Sequence, residues 1–196
     1  MKNKIKYLYN SIPVEIRKFL LRAIFLFIIW ETIYLFLLFD NRIIDEPLTN
    51  HISKSTSYFL NLSTNNKSIY SVPVTDTVIF EGNINIMKSS EIKKGNTTLL
   101  YIADGCNGLE LFLVYIGFII CFNHYVFNKL IFITIGIFTI DVINIIRCVL
   151  LAFVKEKYNE YFDFTHHYLF NSIVYLMIFI LWFQFTKSKK LLNFSN

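Results

Sequence analysis

The sequence predicts a mainly α-helical fold, a polytopic membrane bundle of about four transmembrane helices with a small β-rich extracytoplasmic insertion between helices 1 and 2. Hydrophobic residues make up 55% of the chain and charged residues only 17%, whereas about a quarter of a soluble domain is charged. The mean hydropathy is +0.48. These values exclude a disordered chain, a collagen-like repeat and a coiled coil.

Four long apolar runs supply the predicted spans, at about residues 19–39, 109–127, 130–154 and 168–185. A bilayer core is crossed by about 20 residues at a rise of 1.5 Å each, so all four runs are long enough. No small-residue cleavage site follows the first run, so we expect it to be a span rather than a signal peptide. We expect residues 1–196 to form a single integral membrane domain.

A polar stretch, residues 40–104, separates the first two runs. Its first part, residues 49–68, is rich in Ser, Thr and Asn and predicts a loop or a short surface helix. Apolar residues alternate between positions 69 and 86 and are interrupted at Gly82-Asn83, a pattern that predicts a β-hairpin. Residues 97–102 predict a further strand, so the insertion is expected to be partly β.

Basic residues near the two ends of the chain predict its orientation. Residues 2–22 carry six Lys and Arg against one acid, and residues 187–190 carry three Lys. Lys and Arg accumulate on the cytoplasmic side, and four spans return the chain to the side where it began, so both termini are predicted to be cytoplasmic. The net charge of +5 comes from these tails, and we therefore expect no nucleic-acid partner.

This topology brings three kinds of reactive side chain to one level. Cys106 precedes the second span, and His166 and His167 precede the fourth, in each case at the outer end. Arg147 lies 17 residues into the third run. That is about 26 Å along a helix, near the outer boundary of a core about 30 Å thick. A cysteine, an arginine and a histidine pair are therefore predicted to converge at the outer face.

These side chains suit acyl transfer through a thioester. A helix N-terminus favours the thiolate of Cys106, since the helix dipole and the free N–H groups stabilise an anion there. A histidine can accept the thiol proton and return it to a leaving amine. An arginine can stabilise the oxyanion through its fork of donors. Gly105 and Gly108 leave room for a peptide backbone beside the thiol.

Asp141, Asn144 and Arg147 recur every third residue of the third run and predict a polar stripe on one helix face. Either Asp141 and Arg147 pair with neighbouring helices to hold the bundle together, or Arg147 serves the site while Asp141 and Asn144 support it. Glu31 in the first run faces either the bundle or a substrate path, and we rank the structural role first.

Metal and cofactor sites are not expected. The three cysteines form no C-x-x-C pair, which excludes a zinc ribbon, a thioredoxin-like motif and a disulfide scaffold. Cys121 and Cys148 lie within apolar runs and are interpreted as small apolar fillers. Adjacent histidines on a helix point about 100° apart, so His166 and His167 do not readily chelate one metal ion.

Three short motifs resemble those of the exosortase/archaeosortase family. Residues 106–109 (CNGL) resemble the family's C-S/N-G-L motif, residues 144–147 (NIIR) its N-x-x-R motif, and residues 167–171 (HYLFN) its H-x-x-x-small motif. All three occur in the family's order, within residues 100–185. The short chain and its Phe-, Tyr-, Ile-, Asn- and Lys-rich composition resemble the exosortase F type of Bacteroidetes. Asn171 stands where the family usually has Gly, and many members have more spans.

The resemblance implies a membrane-embedded cysteine protease/transpeptidase of the bacterial inner membrane, with its active site on the periplasmic face. Such enzymes cleave C-terminal sorting signals of exported proteins through a thioacyl intermediate, so the expected partners are a membrane-tethered protein substrate and the lipid bilayer. By this resemblance Cys106 is the nucleophile, Arg147 the stabiliser and His167 the acid/base, or His166 if the register differs by one. Asn144, Asp141 and Gly108 support them.

The main alternative is a non-catalytic membrane assembly or partner protein in which the three residues are structural. A quinone-linked thiol oxidase ranks lower because it needs paired cysteines, and the next cysteine after Cys106 is 15 residues away, inside a span. A transporter ranks lower because only Glu31 and Asp141 approach the middle of the bilayer.

Overall fold

The computed structural model describes residues 13–39, 41–64, 68–80 and 83–192, without the side chains of residues 76–80, 83–88 and 189–192. Most of the basic N-terminal tail and the predicted turn at Gly82 lie outside the described residues. The protein is mostly helical, with a small three-stranded antiparallel sheet. Among the described residues, three helical stretches have the length and composition to cross a membrane: Val14–Leu38, Val126–Lys157 and Asn159–Ser188.

The first helix, α1 (Val14–Ile33), begins directly after Pro13 and continues into a π-helical turn, Tyr34–Leu38. None of its residues is buried. Large apolar side chains such as Phe25 and Phe36 are 64% and 82% exposed. A helix this apolar and this exposed is stable only against lipid or another apolar partner, which agrees with a membrane span.

The run at residues 109–127 forms a helix shorter than predicted, so a fourth span is not confirmed. α3 (Leu109–Cys121) has 13 residues, about 20 Å at 1.5 Å per residue. It ends at Phe122, whose backbone is extended. Lys129 Nζ donates to the carbonyl of Ile120 at 2.8 Å, and Arg22 Nη1 approaches that of Cys121 at 3.5 Å. These cations stabilise the helix C-terminus where it stops.

The insertion contributes α2 (Asp45–Thr64) and three strands, β1 (Ile69–Phe80), β2 (Asn83–Lys94) and β3 (Thr97–Ala103). β1 and β2 form the predicted hairpin, with Phe80 opposite Asn83, and β3 pairs antiparallel with β2. The sequence predicted only a loop or a short helix where α2 lies. The inner face of α2 buries Ser and Thr beside Ile52 and Leu60, so the face that packs inward looks polar in the sequence.

The longest helix, α4 (Val126–Lys157), belongs to both halves of the molecule. Its 32 residues measure about 48 Å, more than a bilayer core of about 30 Å. Its first part packs with α3 and α5 (Phe170–Leu192) around a buried apolar cluster. Its last part packs against α2 and the sheet around a second cluster that includes Cys148 and Leu151. Asn144 and Arg147 lie where the two clusters meet.

α3 and α4 approach so closely that one position excludes a side chain. A Cβ atom on Gly136 would lie 1.9 Å from Cε1 of Tyr115. The Tyr115 ring is fully buried, and its hydroxyl donates to the carbonyl of Phe132 at 2.8 Å. The ring is therefore fixed, and the spacing of the two helices depends on glycine at position 136.

We expect Gly136→Ala to destabilise the protein by about 1–3 kcal/mol, the usual cost of overpacking a core. Gly117→Ala is the matched control, because a Cβ atom there meets nothing within 4 Å and alanine favours a helix by up to about 1 kcal/mol over glycine. Unfolding of each variant by SDS in mixed micelles measures the difference. Equal stability of the two variants would contradict the close approach.

Candidate active site

The loop that carries Cys106 joins the sheet to the bundle. β3 ends at Ala103, a 3-10 turn covers Asp104–Cys106, and α3 begins at Leu109. Gly108 has a φ of 90°, in the left-handed region, and a Cβ atom there would lie 3.3 Å from Nδ2 of Asn144. Backbone conformation and close approach therefore both favour glycine directly before α3.

Asp104 ties this loop to α2. Its carboxylate accepts two hydrogen bonds from Arg42, from Nε at 2.8 Å and from Nη2 at 2.6 Å, and a third from Thr49 Oγ1 at 2.7 Å. The hydrogen bonds to Asp104 raise the pKa of Arg42 further above its ordinary value. Arg42 itself has a φ of 50°, a conformation that costs energy for a non-glycine residue and that the bidentate pair holds in place.

Asn107 forms a second tie and is almost fully buried. Its Nδ2 donates to Oδ1 of Asp45 at 2.9 Å, and its Oδ1 accepts from the backbone N–H of Leu109 at 2.9 Å. Asp45 in turn accepts from the hydroxyl of Tyr34 at 3.0 Å. The start of α3, the start of α2 and the end of the first span are thus joined through two buried side chains.

Asn144 holds the backbone of the cysteine from α4. Its Nδ2 donates to the carbonyl of Cys106 at 3.0 Å, and its side chain is 1% exposed. Its Oδ1 has no hydrogen-bond partner within the described part of the chain. The NIIR motif therefore touches the CNGL motif directly, through an amide and a backbone carbonyl.

His166 is the histidine that approaches the thiol. The Sγ of Cys106 lies 3.8 Å from Nε2 of His166, which stacks on Phe162 and lies in a π-helical turn, Thr165–Leu169. His167, which the motif favoured, is exposed, and its ring meets that of His166 edge-on at 4.6 Å. Consecutive side chains on a helical turn diverge by about 100°, so only one of them can face Cys106.

Arg147 lies one helical turn beyond Asn144 and is 9% exposed. Its Nε has no hydrogen-bond partner among residues 13–39, 41–64, 68–80 and 83–192, and no ion pair to Arg147 is formed within those ranges. No hydrogen bond joins it to Cys106 or His166 there. A buried guanidinium whose donors are unused is costly in the free protein and can receive an anion.

Asp141 is engaged elsewhere. Its Oδ2 lies 3.1 Å from Nε2 of His51 on α2, so it ties α2 to α4 rather than pairing with Arg147. Of the predicted stripe, Asp141 contacts the insertion, Asn144 contacts the cysteine loop, and Arg147 is unpaired within the described residues.

Sequence reasoning missed Arg42, Asp45 and Thr49, which hold the loop from α2. Each lies more than 50 residues from its partner in the loop, and nothing in the local pattern of residues 41–49 marks them. Asp104 directly precedes the Gly-Cys pair. Its position beside a candidate reactive cysteine was the one sequence feature that could have indicated that this loop is held by other side chains.

The cysteines differ in their surroundings. Cys106 is partly exposed, whereas Cys121 and Cys148 are each 2% exposed, and all three are free thiols. Within the described ranges, no group of three or more His, Cys, Asp or Glu side chains is arranged to hold a metal ion. The chemistry that the cluster can support is therefore that of a thiol beside an imidazole, with a buried cation on the adjacent helix.

Comparison with known proteins relates the chain to one family. The family model described as "Transmembrane exosortase (Exosortase_EpsH)" matches residues 16–184, most of the chain. Neither the curated proteins nor the solved structures contain a match.

The difference in exposure between Cys106 and Cys148 predicts which thiol is alkylated faster. In detergent-solubilised protein, a variant that retains only Cys106 should react with a maleimide at least about tenfold faster than one that retains only Cys148, because a buried thiol must wait for local opening. Mass spectrometry of the adduct against time measures both rates. Equal rates would show that the burial difference does not hold in solution.

Proposed function

Since the chain belongs to the transmembrane exosortase family, we propose that it is a membrane cysteine protease/transpeptidase, with Cys106 as nucleophile, His166 as acid/base and Arg147 as stabiliser. Family membership itself indicates a membrane protein that acts on membrane-associated substrates with sorting signals. The observation that carries the residue assignment is the 3.8 Å approach of Cys106 Sγ to His166 Nε2.

The proposed reaction begins with proton transfer from the Cys106 thiol to Nε2 of His166. The thiolate adds to the carbonyl carbon of the scissile peptide bond and forms a tetrahedral oxyanion. The intermediate collapses to a thioester on Cys106, the C–N bond breaks, and the proton on His166 passes to the amine of the departing C-terminal fragment. Water or an acceptor amine then attacks the thioester and gives its proton to His166. The C–S bond breaks, the acyl product leaves, and the proton returns from His166 to the Cys106 sulfur.

Arg147 and Asn144 are assigned different parts in this reaction. The guanidinium of Arg147 is buried and unpaired within the described residues, which supports a role as donor to the oxyanion. Asn144 donates to the carbonyl of Cys106, and we assign it the positioning of the cysteine. Gly108 permits this contact, and Asp141 supports the site at a distance by tying α2 to α4 through His51.

The proposed location is the bacterial inner membrane, with both termini in the cytoplasm and the site in the periplasm. Exposed aromatic residues lie close to His166 in the sequence, and Tyr is usual where a chain leaves the hydrocarbon core; they are Tyr158, Tyr161, Phe164 and Tyr168. Described basic residues at the other end of the bundle are Lys18, Arg22, Lys129 and Lys187. α3 is assigned a short fourth span, and the short chain with its Phe-, Tyr-, Ile-, Asn- and Lys-rich composition supports the exosortase F-like subtype.

Removal of the proposed nucleophile should abolish processing. We expect cells that produce Cys106→Ala to leave a tagged protein with a short motif, an apolar helix and a basic tail at its C-terminus uncleaved. Arg147→Ala should lower the cleavage rate by about 10²–10³, the usual cost of a lost oxyanion donor. Cys121→Ala is the control with wild-type cleavage. Unchanged cleavage with both Cys106→Ala and Arg147→Ala would favour the non-catalytic alternative.

The histidine pair supplies a direct test of the assignment. His166→Ala should lower the cleavage rate by about 10²–10⁴, as the loss of an acid/base group does, whereas His167→Ala should keep most of it. The size of the cleaved tagged product on a gel, followed against time, measures both. The reverse result would assign the acid/base role to His167.

A further inference from the structure

The end of the bundle remote from Cys106 contains a cavity of about 430 Å³ between α1 and the C-terminal end of α3. Its charged lining residues are Glu15, Lys18 and Arg22, and its aromatic wall is formed by Phe19, Phe118 and Phe122. The proposed reaction uses none of them. The cavity thus combines a cationic edge with an apolar wall at one end of a membrane span.

The cationic side chains that line the cavity have unused hydrogen-bond donors. Lys18 and Arg22 are one helical turn apart and share a face of α1, against the single negative charge of Glu15. Within the described part of the chain, Arg22 has one hydrogen bond, the 3.5 Å contact to the carbonyl of Cys121, although a guanidinium has five N–H donors. Lys18 forms no hydrogen bond or ion pair there.

Termination of α3 does not account for these cations. Lys129 already donates to the carbonyl of Ile120 at 2.8 Å, so the helix end has a close cationic partner without Arg22. The contact from Arg22 is long for a hydrogen bond. Lys18 and Arg22 are exposed near the start of α1, and long basic side chains near the end of a span extend into the headgroup layer, where lipid anions are available.

The apolar wall indicates what kind of anion fits. Phe19 packs edge-on against Phe118 at 5.5 Å between ring centroids, and the exposed apolar surface of α1 continues from there along its length. A soluble anion would contact only the cationic edge and not this apolar wall. A lipid places its phosphate at the cationic edge and its acyl chains along α1.

We propose that this cavity binds the headgroup of an anionic phospholipid, whose phosphodiester accepts hydrogen bonds from Arg22 and Lys18. A headgroup that carries its own ammonium group fits less well, because it would add positive charge beside two unpaired cations. The lipid would anchor α1 to α3 at the end where α3 stops short. This inference does not depend on the proposed enzymatic activity.

The full-length protein in nanodiscs permits a direct test, with Trp182 as the reporter. The Trp182 ring stacks on Phe118 at 4.4 Å between centroids, and Trp30→Phe leaves it as the one tryptophan, since the chain has 2 Trp. Quenching by brominated phosphatidylglycerol in phosphatidylcholine is compared with quenching by brominated phosphatidylcholine in phosphatidylglycerol. We expect phosphatidylglycerol to be preferred, and Arg22→Gln or Lys18→Gln to lower that preference about fivefold each.

Lys187→Gln is the matched control. Lys187 lies at the same end of the bundle, over the ring of Phe183 at 4.4 Å, and does not line the cavity. Lys187→Gln should leave the preference for phosphatidylglycerol unchanged. Arg22→Lys keeps the positive charge and should retain most of the preference that Arg22→Gln loses. Equal quenching by both lipids, or an equal loss with Lys187→Gln, would overturn the proposal. Unfolding midpoints in detergent confirm that each variant is folded.

Inorganic phosphate, added to the detergent-solubilised protein at constant ionic strength, separates a lipid site from a soluble-anion site. We expect it not to shift the unfolding midpoint. If phosphate raises the unfolding midpoint and Arg22→Gln abolishes this rise, the cavity is a site for soluble phosphate and the lipid assignment is overturned.

Discussion

The bidentate ion pair between Arg42 and Asp104 anchors the loop on which the candidate site is built. Asp104 lies two residues before Cys106, and Arg42 leads into α2, so the pair fixes the cysteine loop to the insertion. A guanidinium and a carboxylate meet in a fixed planar geometry, which sets the orientation of the loop as well as its distance. Asn107 and Asp45 add a second, buried connection to the same helix. The cysteine loop is therefore held from the insertion as well as from the bundle.

α4 complements these ties because it crosses from one apolar cluster to the other without a break. Asn144 lies at the crossing, where its amide donor reaches the carbonyl of Cys106. The His166 ring comes from the segment after α4 and packs on Phe162. Cys106, His166 and Arg147 thus come from three separate stretches of chain; α4 carries the arginine and holds the backbone of Cys106 through Asn144. Partial exclusion of water at this junction strengthens every charge interaction there.

The sequence predicts those parts of the structure that depend on long apolar runs or on strict alternation. Three of the four runs have the length and composition of spans, and the strands around Gly82 pair as their pattern indicates. α2 was not predicted as a long helix because its buried face is made of hydroxyl side chains that look polar in sequence. α3 ends at Phe122, inside an apolar run, and Lys129 from α4 donates to the carbonyl of Ile120 at that end; this contact between helices is not visible in the run itself. Which of His166 and His167 lies beside Cys106 depends on a π-helical turn. A turn of this kind shifts the helical register by one residue and has no signature in a single sequence. The contacts from Arg42 and Thr49 join residues that are distant in the chain, which local patterns do not encode.

The unpaired buried atoms where the two apolar clusters meet affect which substitutions would stabilise the protein. Oδ1 of Asn144 and Nε of Arg147 are buried without hydrogen-bond partners in the described part of the chain, and each such group costs about 1–3 kcal/mol of folding free energy. An apolar replacement at Arg147 would remove its share of that cost, whereas one at Asn144 would also lose the hydrogen bond to the carbonyl of Cys106. Thermal stability and the site therefore favour opposite substitutions at Arg147. Consensus design or laboratory evolution that screens for heat resistance alone would drift away from the NIIR sequence, and persistence of that sequence under such a screen would require selection on something other than folding.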